Sequence, residues 1–345
     1  MNMSKKEKSS PEEERRETGK KQSMTAKIGQ GIRRAAITAV ITGACVGAGA
    51  LVGISNYFYK VALVPKRQKE NPKAENEGKE YIEGYKWAAG HPGRKDIYIR
   101  ADDGLQLHAN LIPSEDPDCH RYAVCVHGYA GSSFGVGLFA SVYRDRYGMN
   151  TLLPDLRGFG LSDGDYIGMG YDDSRDLLCW LDWIIQKDPQ AQIVLHGVSL
   201  GAATVLMTTG LSLPSQVRAA ISDSAYTTAL ESLEFLYKKQ DNAKIPAPVM
   251  MESLRAVTLV RAGYDLANAS PVEAVTHSNT PTLFIQGQAD HTIPPEMMPR
   301  LYKAASCPKS FLWIPGADHK KAVIVDPETY WARVERFLHA QGVEI

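Results

Sequence analysis

The residues best suited to chemistry are Gly197-Val198-Ser199-Leu200-Gly201, which follow the apolar run QIVLH and precede the small-residue stretch AATVLMTT. A G-x-S-x-G pentapeptide between a strand and a helix makes a turn so tight that the serine takes strained dihedrals, and side chains in place of the glycines would clash. The strain exposes the hydroxyl and brings the following amide, that of Leu200, beside it. A serine hydroxyl is a weak nucleophile until a base takes its proton, and a histidine oriented by a carboxylate is the expected base. On such an elbow the partners follow in the order acid, then histidine. Asp290 in QGQADHTIP and His319 in PGADHKK meet that order, each just past an apolar run (PTLFIQG and SFLWIPG). Asp223, at the end of AAISD, is the competing acid. Acyl transfer also needs a second amide donor for the oxyanion, each donor being worth about 3 kcal/mol in the transition state. His127-Gly128-Tyr129, directly after AVCV, makes the Tyr129 N–H the candidate.

The remaining histidines read differently. His127 supports the loop before Tyr129. His196 precedes the elbow inside a strand and reads as a satisfied core residue, His291 as a loop residue near the rim, and His277 and His339 as solvent-facing. Asp318 adjoins His319 and is expected to point elsewhere.

The elements that must position these groups follow from periodicity. DIYIRADDGLQLHANLI alternates around Asp102-Asp103-Gly104, a hairpin signal. Beyond it, short apolar strands are expected at 123–128, 150–155, 192–197, 219–223, 281–287 and 309–316. They alternate with helical stretches such as DDSRDLLCWLDWIIQK (172–187), where Leu177, Leu181, Ile184 and Ile185 share a face. Continuous apolar strands alternating with helices predict an α/β architecture with a mostly parallel sheet covered on both faces. Open α/β sheets place their sites past the carboxyl ends of strands, where Ser199, Asp290 and His319 all stand.

HGYAGSS, DLRGFGLSDG (155–164), GVSLGA, QGQADHTIP and PGADHKKAVIVDPETYWARVERFL together resemble α/β hydrolases of the monoacylglycerol-lipase and serine-aminopeptidase-like branch. The likeness spans about residues 80–345 and is greatest to membrane-anchored bacterial members. It implies the α/β-hydrolase fold, the triad roles for Ser199, Asp290 and His319, and a structural role for Asp155, Arg157 and Gly158. Asp223 in SDSAY also fits the branch. HGY departs from the HGGG of many lipases. The resemblance further implies a small helical lid at about 226–276, where Met250, Met251, Leu254, Val257 and Leu259 either line an acyl pocket or pack the lid onto the body.

The chain opens on a polar tail, 1–34, with ten Lys/Arg against five Glu. Residues 35–59 carry no charge, and about 20 such residues span a bilayer. Tyr57, Phe58 and Tyr59 close the run as interfacial aromatics do. This stretch is expected to be a transmembrane anchor, longer than the apolar core of a signal peptide. Residues 60–80 read as a polar linker, and 81–345 as the catalytic domain. The short basic tail places the N-terminus in the cytoplasm and the domain outside the cell membrane, on a single-pass anchor. Gly43…Gly47 and Gly49…Gly53 are small-xxx-small pairs that would let two anchors pack as a homodimer.

The expected function is a serine hydrolase acting on small-molecule or lipid-like esters through an acyl-enzyme. The alternatives are an aminopeptidase-like amide hydrolase and a non-enzymatic membrane-anchored module on the same fold. No cofactor or metal is expected, since there is no HExxH, Cys/His cluster or Walker loop. Net charge zero, with no basic face, argues against a nucleic-acid partner. Gly135-x-Gly137-x-x-Ala140, with Asp155 further on, matches a dinucleotide fingerprint but does not directly follow a strand. Five cysteines without CxxC spacing form no disulfide framework; Cys119 and Cys307 are the pair left open.

Overall fold

The computed structural model describes residues 49, 51–65, 78–129, 131–240 and 245–345. The chain divides into two units, Met1–Ser55 and Asn56–Ile345. In the first, residues 49 and 51–55 are helical. The polar tail and most of the expected anchor, including the Gly43…Gly47 pair, lie outside the described residues. Among the described residues no helix is long and apolar enough to cross a membrane.

The second unit is built on an eight-stranded sheet, ordered β1-β2-β4-β3-β5-β6-β7-β8. Its strands are β1 (Lys95–Arg100), β2 (Gln106–Ile112), β3 (Arg121–Val126), β4 (Asn150–Pro154), β5 (Gln192–Val198), β6 (Val217–Asp223), β7 (Thr282–Gly287) and β8 (Lys309–Ile314). β2 runs antiparallel to β1 and β4, and every other pairing is parallel. The hairpin turns at Gly104, whose φ of 90° suits a residue without a side chain. β5 is buried at all but its first residue, as a central strand covered on both faces must be. Successive side chains alternate between the faces: Ile193 and Leu195 join one core, Val194 and Val198 the other.

Helices α1 (Lys79–Gly90), α2 (Tyr171–Lys187), α3 (Leu200–Thr209), α4 (Ala229–Lys238), α5 (Ala247–Ala262), α6 (Met297–Ala304) and α7 (Pro327–Ala340) close the two faces. Leu177, Leu181 and Ile184 of α2 fill one core, and Tyr330, Trp331, Val334 and Phe337 of α7 fill the other. The span expected to form a lid holds α4 and α5. Met250, Met251, Leu254 and Val257 are buried in the core, whereas Leu259 is exposed.

Two expectations are corrected. Of the expected linker, 66–77 lies outside the described residues, and 60–65 is packed into the second unit. Ala62 and Leu63 are buried, and the Leu63 carbonyl accepts the Ile167 N–H at 2.8 Å. The apolar sequence VALVP continues past Lys60 and supplies the buried residues. Of the three expected interfacial aromatics only Tyr57 is exposed, at 70%. Phe58 and Tyr59 are buried, Phe58 meeting the Tyr237 ring of α4 edge-on at 5.7 Å. A β-carbon on Gly137 would collide with the Gly84 carbonyl of α1, so this glycine is explained by a close backbone crossing. Cys119 and Cys307 are both free thiols.

Candidate active site

The carboxyl ends of β3, β5, β7 and β8 converge on one cluster. Ser199 leaves β5 with φ 58° and ψ −118°, a conformation that side-chain-bearing residues rarely hold. Its own N–H donates to the Asp223 carbonyl at 2.8 Å and its carbonyl accepts the Ala203 N–H, so the turn is tied at both ends. A β-carbon on Gly197 would collide with Gly201, and one on Gly201 with the backbone of Val126 and His127, which accounts for both motif glycines. Ser224 (φ 62°) and Lys320 (φ 61°), beside Asp223 and His319, share the strained backbone region.

His319 stands in the loop after β8, and its Nε2 lies 2.8 Å from Ser199 Oγ. Its Nδ1 lies 2.8 Å from Asp290 Oδ2. Donation from Nδ1–H to the carboxylate leaves Nε2 as an acceptor facing the serine hydroxyl. Asp290 is itself fixed on four sides. Oδ2 also accepts from Gln286 Nε2 at 2.8 Å, and Oδ1 accepts the Thr292 and Ile293 amides, each at 2.8 Å. The structure therefore brings together Ser199, Asp290 and His319 from positions 120 residues apart.

The competing groups have other partners. The fully buried Asp223 carboxylate accepts the Ser224 and Tyr330 hydroxyls at 2.8 and 2.9 Å, and burial raises its pKa to about 6. Tyr330 in turn meets His196 Nε2 at 3.0 Å, and His196 Nδ1 faces the Tyr143 hydroxyl at 3.0 Å. Since Tyr330 donates to Asp223, His196 donates from Nε2–H and accepts from Tyr143. Burial lowers the His196 pKa to about 3, so the ring is neutral and satisfied, as its strand position implied. Asp318 Oδ1 accepts the His291 and His319 amides and so braces the loop from outside. His291, His277 and His339 are exposed.

The loop after β3 lies against Ser199: a β-carbon on Gly128 would stand 3.2 Å from Ser199 Cβ. Leu200 opens α3, and the first amides of a helix have no intrahelical acceptor. His127 donates from Nδ1–H to the Gly128 carbonyl at 2.8 Å and accepts the Leu156 amide at Nε2 at 3.1 Å. Burial lowers its pKa, which suits that neutral, structural role. Asp155 accepts the Ser133 and Leu161 amides and contacts His108, while Arg157 grips Asp176 through two bonds of 2.7 and 2.6 Å. Both brace the loop network, and Gly158 (φ 77°) packs on Pro65. Gln286, Tyr143, Tyr330 and the Tyr129 phenol, which donates to the Ala62 carbonyl, carry no local sequence signal that marks them.

The profile of the alpha/beta hydrolase family matches residues 123–333, most of the chain. The chain belongs to the alpha/beta hydrolase family. Among curated proteins, this hydrolase is 29% identical over 230 residues to the uncharacterized protein YfhR of Salmonella typhimurium, covering 65% of this chain and 74% of that one. Among solved structures it is similar to the esterase Pf2001 of Pyrococcus furiosus, with TM-score 0.58, 21% identity, and coverage of 80% and 98% of the two chains. It is also similar to a puromycin-hydrolyzing peptidase of Mycobacterium tuberculosis, with TM-score 0.55, 19% identity, and coverage of 73% and 40%. At those identities the structural likenesses establish the fold of this hydrolase.

Proposed function

We propose that this hydrolase cleaves carboxylic esters, including lipid-like acyl esters, by two-step acyl transfer on Ser199. The observation that carries the reading is the pair of 2.8 Å contacts, Asp290 to His319 and His319 to Ser199, ending on a strained serine. Ser199 Oγ attacks the ester carbonyl carbon as its proton passes to His319 Nε2, and Asp290 holds the imidazolium through Nδ1–H. The Leu200 and Tyr129 amides receive the oxyanion. Collapse expels the alcohol, which takes the proton from Nε2. Water, deprotonated by the same nitrogen, then attacks the acyl-enzyme and releases the acid. His319 is neutral again at the end of the cycle.

A second reading, amide hydrolysis, draws on the likeness to a peptidase. We read the uncharged run as a single-pass anchor that ends before the docked residues 56–65, because the 21 uncharged residues of 35–55 are still long enough to span, with the domain outside the cell. Protease added to intact cells digests the domain if that orientation is right and spares it if it is reversed. A p-nitrophenyl ester series from acetate to palmitate, run beside an aminoacyl p-nitroanilide, tests the activity. Esters are expected to turn over faster, with kcat reduced by roughly 10³-fold or more in Ser199→Ala. Faster anilide cleavage favours the amide reading, and turnover of neither substrate favours a non-enzymatic module.

A further inference from the structure

We propose that residues 56–65, which take in the end of the apolar run 35–59, are a positioning strut for the oxyanion loop, acting through the Tyr129 phenol. The inference rests on the ester-hydrolase reading above and gives the Tyr129 side chain a role distinct from that of its amide.

The loop after β3 is held from two directions. From within, His127 ties the Gly128 carbonyl to the Leu156 amide. From outside, the Tyr129 phenol donates to the Ala62 carbonyl at 2.9 Å, and its ring meets Phe159 edge-on at 6.2 Å. Tyr129 is 43% exposed, so the core does not fix this side chain by packing alone.

The strut itself is fastened to α4, α5 and the loop at 158–167. Phe58 packs on Tyr237 of α4. The Arg261 guanidinium of α5 lies over the Tyr59 ring at 5.6 Å, and its Nε donates to Asn56 at 2.8 Å. The Leu63 carbonyl takes the Ile167 amide, and Pro65 rests on Gly158. The segment thus touches α4 and α5, the loop at 158–167 and the oxyanion loop. A phenol–carbonyl bond at a half-exposed site adds little to folding stability. Its effect on rate is larger, because a catalytic group misplaced by about 1 Å can cost on the order of 10²-fold. The Tyr129 amide is one bond from the α-carbon that this phenol restrains.

The test uses the full chain in detergent micelles and the best p-nitrophenyl ester of the series. Tyr129→Phe keeps the amide and the ring and removes only the strut contact. It is expected to lower kcat roughly 10- to 100-fold with KM within about twofold, the signature of a lost transition-state interaction. Phe58→Ala, which loosens the strut, is expected to lower kcat in the wild-type background and to change it less than about twofold in the Tyr129→Phe background, since coupled residues are not additive. Phe58→Leu replaces it if the alanine variant does not fold. Retention of kcat in Tyr129→Phe, no effect of the Phe58 substitution, or independent multiplication of the two effects would each overturn the proposal. An active wild type with those results overturns this inference alone, whereas a wild type that hydrolyses no ester overturns the hydrolase reading with it.

Discussion

Ser199 holds a backbone conformation that costs a residue with a side chain roughly 1–3 kcal/mol, and the bonds on either side of it keep it there. Two carboxylates lie close by, and their surroundings separate their roles. Asp290 contacts the imidazole; Asp223 contacts two hydroxyls and supports the elbow through its backbone carbonyl. Asp290→Asn is therefore expected to lower kcat by roughly 10⁴-fold, because an amide would favour the wrong imidazole tautomer. Asp223→Asn should cost less than about tenfold, because its hydrogen bonds are structural. Steady-state kinetics on both variants decides, and a worse Asp223→Asn lesion would move the acid to β6. At this scale the meeting of Ser199, Asp290 and His319 was legible because each follows an apolar strand within a short motif. Tyr330 and Tyr143 were not, because they reach His196 across 134 and 53 positions and no local pattern marks such a pairing.

The elements that carry these residues were mostly legible too. All six parallel strands stand within two residues of where their apolar runs placed them, and α2 keeps its apolar stripe. The docking of 56–65 escaped notice because amphipathic or apolar patterning shows that a segment is buried without showing what buries it. The start of α2 carries its own prediction. Asp173 is fully buried; its Oδ2 accepts the Gly170 amide at 2.8 Å, and Oδ1 has no partner among the described residues. Burial, with Asp176 alongside, raises its pKa from 3.8 to about 7. Between those values the folded chain binds more protons than the unfolded one, so this carboxyl lowers stability progressively as pH rises through the window. Asp173→Asn keeps an acceptor for Gly170 and removes the titration. Thermal unfolding should show equal melting at about pH 4, with the variant ahead by a few degrees at about pH 7.5. A gap that is widest at low pH would contradict this sign.

At the scale of the whole molecule, the sheet does the positioning. β3 has β4 on one side and β5 on the other, so the loops leaving β3 and β5 lie side by side, which seats Gly128 against Ser199. β7 and β8, further along the same edge, deliver Asp290 and His319. That convergence could be anticipated because parallel strands end on a common edge, whichever helices cover them. The division of the chain at residue 55 could not, since the change in composition lies further on, in the polar run beginning at Lys66. The most direct test of the account is mass spectrometry of the full chain after reaction with a fluorophosphonate. One adduct, on the peptide containing Ser199, is expected, absent in Ser199→Ala and formed at least about 10³-fold more slowly in His319→Ala. An adduct on another residue, or labelling of Ser199 that is indifferent to His319, would contradict it.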